Sequence, residues 1–500
     1  MNVRALSPAK RVCVLLRQPD VVTRFTLLTL AAAALSGCYA MRPSTGGGQT
    51  SFSGQRTFNP ADVAAPAGYR VELVARNLTY PTGVAFDGSG RPFVTESGYS
   101  YGEDFTEPRL LRIGADGSHA VVSRGGRNGP WTGLVHANGA FYVAEGGESE
   151  GGRILRITSG GGTRAIVSGL PSIGDHHTDG PAVGPDGSIY FGQGTATNSA
   201  VVGEDNAEFG WLKRHPEFHD IPGEDIVLTG ANFESPNIIT GQGRATTGAF
   251  SPFGTATTSG QMIKGRVPCS GAIMKVPAGG GAVKLVAWGF RNPFGLAFAP
   301  NGKLYVTDNG YDDRGSRPVW GTGDPMFEVH TGTWYGWPDF SAGQPLNKPD
   351  FKPPGKAQPQ FLLARHPNTP PSPVANLGVH ASANGFDFSR NASFGHVGEA
   401  FVALFGDQAP KTGKVTNPVG FKVARVDVST GAIEDFMVNK GRKTGPASLV
   451  GGGGIERPIA ARFSPDGRAL YVVDFGVLLM DEKGPHPQRG TGALWRIVHE

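Results

Sequence analysis

Along residues 69–500, apolar and polar positions alternate in short runs, and the runs come in pairs. One unit recurs: an apolar strand, a turn often spelled Pro-Asp-Gly or Pro-Asn-Gly, and a second strand rich in Tyr, Phe and Val. A polar residue and a glycine close it. Copies stand at 82–98, 132–147, 180–194, 294–310, 385–406 and 459–476. Asp-Gly and Asn-Gly between alternating apolar flanks are hairpin turns. Several copies are followed by a third strand with an Arg or Lys inside it: RLLRI (109–113), RILRI (153–157), AIMKV (272–276) and FKVARV (421–426). Six repeats of a three- or four-stranded unit predict an all-β, six-bladed β-propeller, whose radial closure protects the sheet edges. The runs YRVELVARNL (69–78) and ALWRIV (493–498) are expected to complete one blade from both termini. Residues 195–268 break the spacing and read as an insertion over one face.

Composition supports this picture. The 500 residues include 76 Gly and 39 Pro, which disfavours helix interiors. With 29 Phe and 7 Trp, the chain has the apolar material for a packed interior.

The net charge of +4 belongs to one segment. Residues 1–37 hold five basic residues against Asp20, and without them 41 basic residues face 41 acidic ones. No basic run elsewhere points to nucleic acid. A basic stretch followed by the apolar run Phe25 to Leu35 reads as an export signal too short to span a bilayer. Leu35-Ser36-Gly37-Cys38 resembles a bacterial lipoprotein cleavage box, which makes Cys38 the lipidation candidate. Residues 38–68 then read as a flexible tether, and the protein as lipid-anchored to the cell envelope, facing periplasm or exterior. Cys13 leaves with the signal and Cys269 remains alone, so no intramolecular disulfide is expected.

In a propeller, residues before each first strand and after each second strand emerge on one face, and the Pro-Asp-Gly turns on the other. The first face gathers Asp175, His176, His177 and Asp179 before the third copy, and Arg291 and Asn292 before the fourth. Asp308, Asn309, Gly310, Tyr311, Asp312 and Asp313 follow the fourth. His380 and Asn384 precede the fifth, Lys411 and Lys414 follow it, and Arg457 precedes the sixth. Histidines, arginines and carboxylates converging on one channel mouth make a candidate site.

Three blocks, GDHHTDGPAVGPDG (174–187), WGFRNPFGLAFAPNGKLYVTDNG (288–310) and WYGWPDF (334–340), resemble the soluble-type quinoprotein glucose/sorbosone dehydrogenases. The resemblance implies a six-bladed propeller that binds pyrroloquinoline quinone and calcium. It also implies oxidation of a sugar or alcohol hydroxyl by hydride transfer, with a separate electron acceptor, a cytochrome or a quinone. It places the general base at His176, a role that suits imidazole near neutral pH. Arg291 and Asn292 fall at the quinone oxygens, where an arginine stabilises developing charge. Arg457 falls at a cofactor carboxylate, and either Lys411 or Lys414 stands for the family's lysine. The carbonyls of Gly310 and Tyr311 fall at the calcium, with Asp312 and Asp313 nearby to add charge.

Two departures bear on activity. The carboxylate expected 19 positions after the base is Thr195, with Asp175 or Asp179 as substitutes, and a second cofactor arginine is replaced by Ile459. Two other readings remain open on the same face. One is a metal-dependent sugar-lactonase-type hydrolase using Glu96, Glu145, Gln193, Asp308 and Asp474, which end the second strands. The other is a non-catalytic binding propeller.

Overall fold

The architecture is taken from a computed structural model, which describes residues 52–98, 105–147, 149–409, 418–441, 444–481 and 484–500. The candidates Cys38, Lys411 and Lys414 lie outside the described residues.

Each hairpin unit of the sequence forms the inner half of an antiparallel blade. Blade 1 comprises Pro81–Phe86, Pro92–Glu96, Arg109–Ile113 and His119–Arg124, from the axis outward. Blade 2 runs Trp131–Ala137, Ala140–Glu145, Gly152–Thr158 and Thr163–Leu170. Blade 3 runs Thr178–Val183, Ser188–Gln193, Ala272–Pro277 and Lys284–Trp288. Blade 4 has Pro293–Phe298, Leu304–Asp308, Gly323–Glu328 and Ala375–Val379, and blade 5 has Ala383–Phe388, Ala400–Leu404, Lys422–Asp427 and Ala432–Asn439. Blade 6 joins Pro458–Phe463, Ala469–Asp474 and Gly492–His499 to Tyr69–Leu78 from the other end of the chain. The expected closure by both termini is therefore the observed one, with Tyr69 opposite His499 and Leu78 opposite Gly492. The inner strands touch in cyclic order, and blade 6 meets blade 1.

Glycine makes that ring tight. A Cβ on Gly133 would lie 1.6 Å from the carbonyl oxygen of Gly180 in the next blade, and one on Gly295 would lie 2.3 Å from that of Asn384. The glycine excess thus serves close blade-to-blade approach as well as the turns. Between blades, aromatic rings fill the wedge. Phe394, Phe401, Phe436 and Phe463 meet edge to face or tilted beside buried Trp495. Each such burial contributes roughly 1.5–3 kcal/mol relative to exposure.

The insertion leaves blade 3 after its second strand, on the mouth face, as the sequence predicts. It carries short helices Glu204–Glu208 and Trp211–Arg214, the hairpin Asn232–Pro236 with Arg244–Gly248, and a short pair, Ile226–Val227 with Met262–Ile263. Two further excursions interrupt blades and were not predicted. Residues 329–374 leave blade 4 after its third strand and reach the insertion through Leu363, which bridges Leu228. A hairpin, Leu478–Asp481 with Gly484–Pro487, rises from blade 6. No helix among the described residues is long and apolar enough to cross a membrane.

The tether boundary needs correction. Residues 52–68 do not run free: Val63–Ala64 pair with Val438 and Asn439 as a fifth strand on blade 5. Arg56 is buried, with Nη2 at 2.7 Å from the Gly454 carbonyl and 2.5 Å from Asp474 Oδ2. The physical reason lies in the blade pattern. In blades 1 and 2 the carboxylate ending the second strand, Glu96 or Glu145, pairs with an arginine of the third strand, Arg109 or Arg153. In blade 6 the residue opposite Asp474 is Ala493, and Arg56 supplies the missing cation.

Candidate functional site

His176 stands in the loop that leads into the inner strand of blade 3. A glycine makes room for it: a Cβ on Gly194 would lie 2.3 Å from the His176 Cβ. Its Nδ1 is 2.9 Å from the Thr195 carbonyl oxygen and 3.1 Å from the Thr195 hydroxyl. That hydroxyl donates to the Thr197 carbonyl at 2.6 Å, and a carbonyl only accepts. Nδ1 therefore carries the proton, and Nε2 keeps its lone pair. Burial first, then the charges of Arg291 and Arg314, hold the imidazole pKa well below its usual value. The ring is a neutral base at neutral pH.

Thr195 thus bonds the ring through its backbone where a carboxylate was expected. The proposed substitutes do not. Asp175 turns into the insertion, where it accepts from Asn206, from Trp211 Nε1 at 2.8 Å and from Arg314. Asp179 is buried in the lining of a second, smaller cavity; burial raises its pKa well above the usual carboxylate range, against the lowering effect of the Thr132 hydroxyl.

Arg291 and Asn292 enter the inner strand of blade 4 together, and the carboxylate of Asp308 fixes both backbone amides, at 3.1 and 2.7 Å. Burial pushes the Asp308 pKa up to about 7. The Arg291 guanidinium is buried against Asn198 Oδ1, 3.0 Å from Nη2, and Asp312 Oδ2, at 2.6 Å. Asn292 donates to Asn309 Oδ1 at 3.0 Å, while its own Oδ1 is buried without a partner.

His176, Arg291 and Asn292 line one open cleft at the mouth of the propeller, enclosing about 1010 Å³ including solvent at its opening. Asn309, Gly310, Asp312 and His380 share its wall, all named from the sequence. Sequence reasoning missed Arg314, Asp324, Ser382 and Gln408, and also Glu208 and Phe209 from the insertion and Met480 and Pro485 from the blade 6 hairpin. The backbone is strained here: His380 and Ser382 adopt φ of +58° and +52°, left-handed values unusual outside glycine.

Four nominations need correction. Arg457 is fully buried beside the cleft rather than in its wall. Its guanidinium lies over the rings of Phe405 and Phe421, and Nη1 donates to the carbonyls of Gly406 and Asp407 at 3.2 and 3.1 Å. Burial pushes its pKa down to about 10. Tyr311 faces away: its carbonyl accepts from the Thr322 hydroxyl at 2.9 Å, and its own hydroxyl donates to the Phe340 carbonyl. Asp312 sits in the wall but is surrounded by cations. Burial would raise its pKa, yet Arg291, Arg314 and His380 hold it below the usual range. Asp313 pairs with Lys356 at 3.2 Å. Both aspartates are thus neutralised by side chains, which removes the charge a calcium ion would seek from them.

For a cofactor, the wall offers hydrogen-bonding partners rather than net positive charge. Arg291 and Arg314 reach it already paired with Asp312, Asp175 and Asp205, and the buried Asn292 Oδ1, without a partner of its own, would accept from a bound group. For calcium, the cleft offers the Gly310 backbone and the carboxylate of Asp324, whose oxygens each accept one backbone amide, from Gly310 and Ala383, and whose pKa burial raises.

The carboxylates proposed for a hydrolytic metal are spent within their blades. Glu96 accepts from the Thr79 amide and Arg109, Glu145 from Asn128, Trp131 and Arg153, and Asp474 from Arg457 N and Trp495 Nε1. Gln193 bonds Thr178 and Pro171. Among the described residues no three His, Cys, Asp or Glu side chains converge as a metal cluster.

No protein-family model matches the chain, and no curated protein matches it in sequence. Solved structures do match. The holo form of the pyranose dehydrogenase PQQ domain from Coprinopsis cinerea aligns over 89% of this chain and 98% of its own, with 14% identity and a TM-score of 0.53. The Trichoderma reesei carbohydrate-active enzyme of family AA12 aligns over 90% of this chain and 100% of its own. Its iodide structure gives 15% identity and a TM-score of 0.53, and its calcium structure 15% and 0.51. The chain shares the six-bladed propeller fold of these proteins.

Proposed function

We propose that the protein is a dehydrogenase that oxidises a sugar or polyol hydroxyl, using pyrroloquinoline quinone in the mouth cleft. One observation carries the reading: the lone-pair nitrogen of a neutral, buried histidine and a fixed arginine share one cleft at the axis. The similarity of fold to a holo PQQ domain and to a calcium-containing propeller supports it.

Bound there, the quinone supplies a two-electron hydride acceptor. The chain's own part is proton handling and charge. His176 Nε2 takes the hydroxyl proton while Nδ1–H stays anchored on Thr195, so the ring does not rotate away. Arg291, held by Asn198 and Asp312, offers fixed positive charge where negative charge develops. Gly310 and Asp324 would hold the calcium, and an electron acceptor would be a separate molecule. The reading extends to a lipid anchor at Cys38 and a place at the bacterial cell envelope.

Reconstitution of the purified apo-protein with pyrroloquinoline quinone and Ca²⁺, followed by dye reduction over an aldose and polyol panel, tests the proposal. Quinone uptake with sugar-dependent reduction is the expected result. Absence of uptake would overturn it, and uptake without turnover would favour a binding propeller.

A further inference from the structure

The wall of the cleft formed by the insertion has its own design. Phe209 closes the helix Glu204–Glu208, and its ring lies under the Arg314 guanidinium, 4.7 Å from Cζ to centroid. Arg314 is clamped by three carboxylates: Asp205 at 2.6 Å, Asp175 at 2.7 Å and Asp312 at 3.0 Å. Asp312 also grips Arg291. The ring is therefore tied through two ion pairs to the arginine beside the reacting centre. Trp211 and Asn206, both bonded to Asp175, fix the helix from behind.

Pro485 and the largely buried Met480 line the same cleft, together with the polar groups of His176, Arg291, Asn292, Asn309 and His380. The exposed carboxylate of Glu208 stands at the rim beside Phe209. The cleft thus presents an aromatic ring beside hydrogen-bonding groups. A cyclic sugar has the matching chemistry, with flat C–H faces and hydroxyls at its edge, whereas an open-chain polyol has no flat face.

We propose that Phe209 is a specificity-determining residue, the platform on which the ring of a pyranose substrate rests, and that Arg314 positions it. The proposal rests on the dehydrogenase reading and makes ring sugars, rather than open-chain polyols, the substrates that the Phe209 ring recognises.

The test compares wild type with Phe209→Ala, which removes the ring, and Phe209→Leu, which keeps apolar packing without a flat face. Saturation-transfer NMR with methyl glucopyranoside, with and without quinone, reports sugar contact independently of turnover. Steady-state kinetics on glucose and on sorbitol, with quinone titration by tryptophan quenching, report the rest. The expected result is loss of ring-proton saturation in both variants. The KM for glucose should rise about tenfold, with sorbitol KM and quinone affinity within about twofold of wild type. Unchanged saturation in Phe209→Leu overturns the proposal. So does a fall in quinone affinity with unchanged sugar contact, which would make the ring a cofactor platform. If no quinone is taken up at all, the dehydrogenase reading falls, and the NMR comparison still decides whether Phe209 holds a sugar ring.

Discussion

The imidazole Nδ1 of His176 lies 2.9 Å from the carbonyl oxygen of Thr195. A carbonyl fixes the tautomer as well as a carboxylate does, but it brings no negative charge to a protonated ring. Burial and two neighbouring arginines therefore leave the histidine with a depressed pKa. Nε2 is then available as a base through the whole neutral range, and the acid limb of kcat/KM should lie below pH 6.5. Thr195→Asp should restore a counter-charge and move that limb to higher pH. A pH–rate profile of both proteins checks this, and an unmoved limb would count against His176 as the titrating base.

His176→Gln keeps a donor toward Thr195 but has no basic nitrogen. Turnover should fall about 10²–10⁴-fold, the usual weight of a general base, with quinone uptake retained. Dye-reduction kinetics and quinone titration on the same preparation separate the two effects. Full turnover in this variant would remove His176 from the mechanism.

Asp312 is the hinge between Arg291 and Arg314. Asp312→Asn leaves two buried guanidinium groups facing each other with one carboxylate fewer. Removing one partner of a buried pair costs about 3–5 kcal/mol. Denaturant unfolding should show a loss of that order, and sugar oxidation should drop because Arg291 is then held by Asn198 alone. Calcium affinity should change little, since Asp312 is occupied by cations.

The propeller was legible because a repeat announces itself. Six copies of one hairpin, with Tyr69–Leu78 and Gly492–His499 left over at the ends, admit few other closures. The inner site residues His176, Arg291, Asn292 and Gly310 were legible for the same reason, since their place in the repeat decides the face from which they emerge. Arg457 was misplaced because sequence position tells which loop a residue occupies and not whether two phenylalanines cover it. Asp312 was misassigned because its partners are Arg314, two residues on, and Arg291, twenty-one residues back. The cleft lining from Glu208, Phe209, Met480 and Pro485 was illegible, because these residues lie outside the repeat and in no motif.

The N-terminal strap should prove part of the folded body. Arg56→Ala leaves Asp474 without its cation inside blade 6, next to the buried Glu456, whose pKa burial has already raised to about 7. A loss of about 3 kcal/mol is expected in denaturant unfolding. A chain beginning at residue 65 should lose at least as much, since it also lacks the strand Val63–Ala64. Equal stability of the shortened and full chains would restore the simple tether.

Asp179 offers the opposite case, a buried acid whose removal should help. Its Oδ2 has no partner, and its carboxyl bonds to the Thr132 hydroxyl. That hydroxyl lies 2.6 Å from the Thr178 carbonyl, and its bond to Asp179 lowers the carboxyl pKa, offsetting only part of the effect of burial. Burial raises the carboxyl pKa well above the unfolded value. Below about pH 4 both states are protonated and the group is neutral to stability. As pH rises past that point, the unfolded chain releases the proton and the folded chain keeps it, so stability falls with increasing pH. Asp179→Asn copies the protonated acid in shape but does not titrate. The variant should match wild type near pH 4 and exceed its Tm by several degrees at pH 8. Thermal melts across that range decide the matter. A variant less stable than wild type at pH 8 would mean that the acid is ionised in its cavity and held there by a partner.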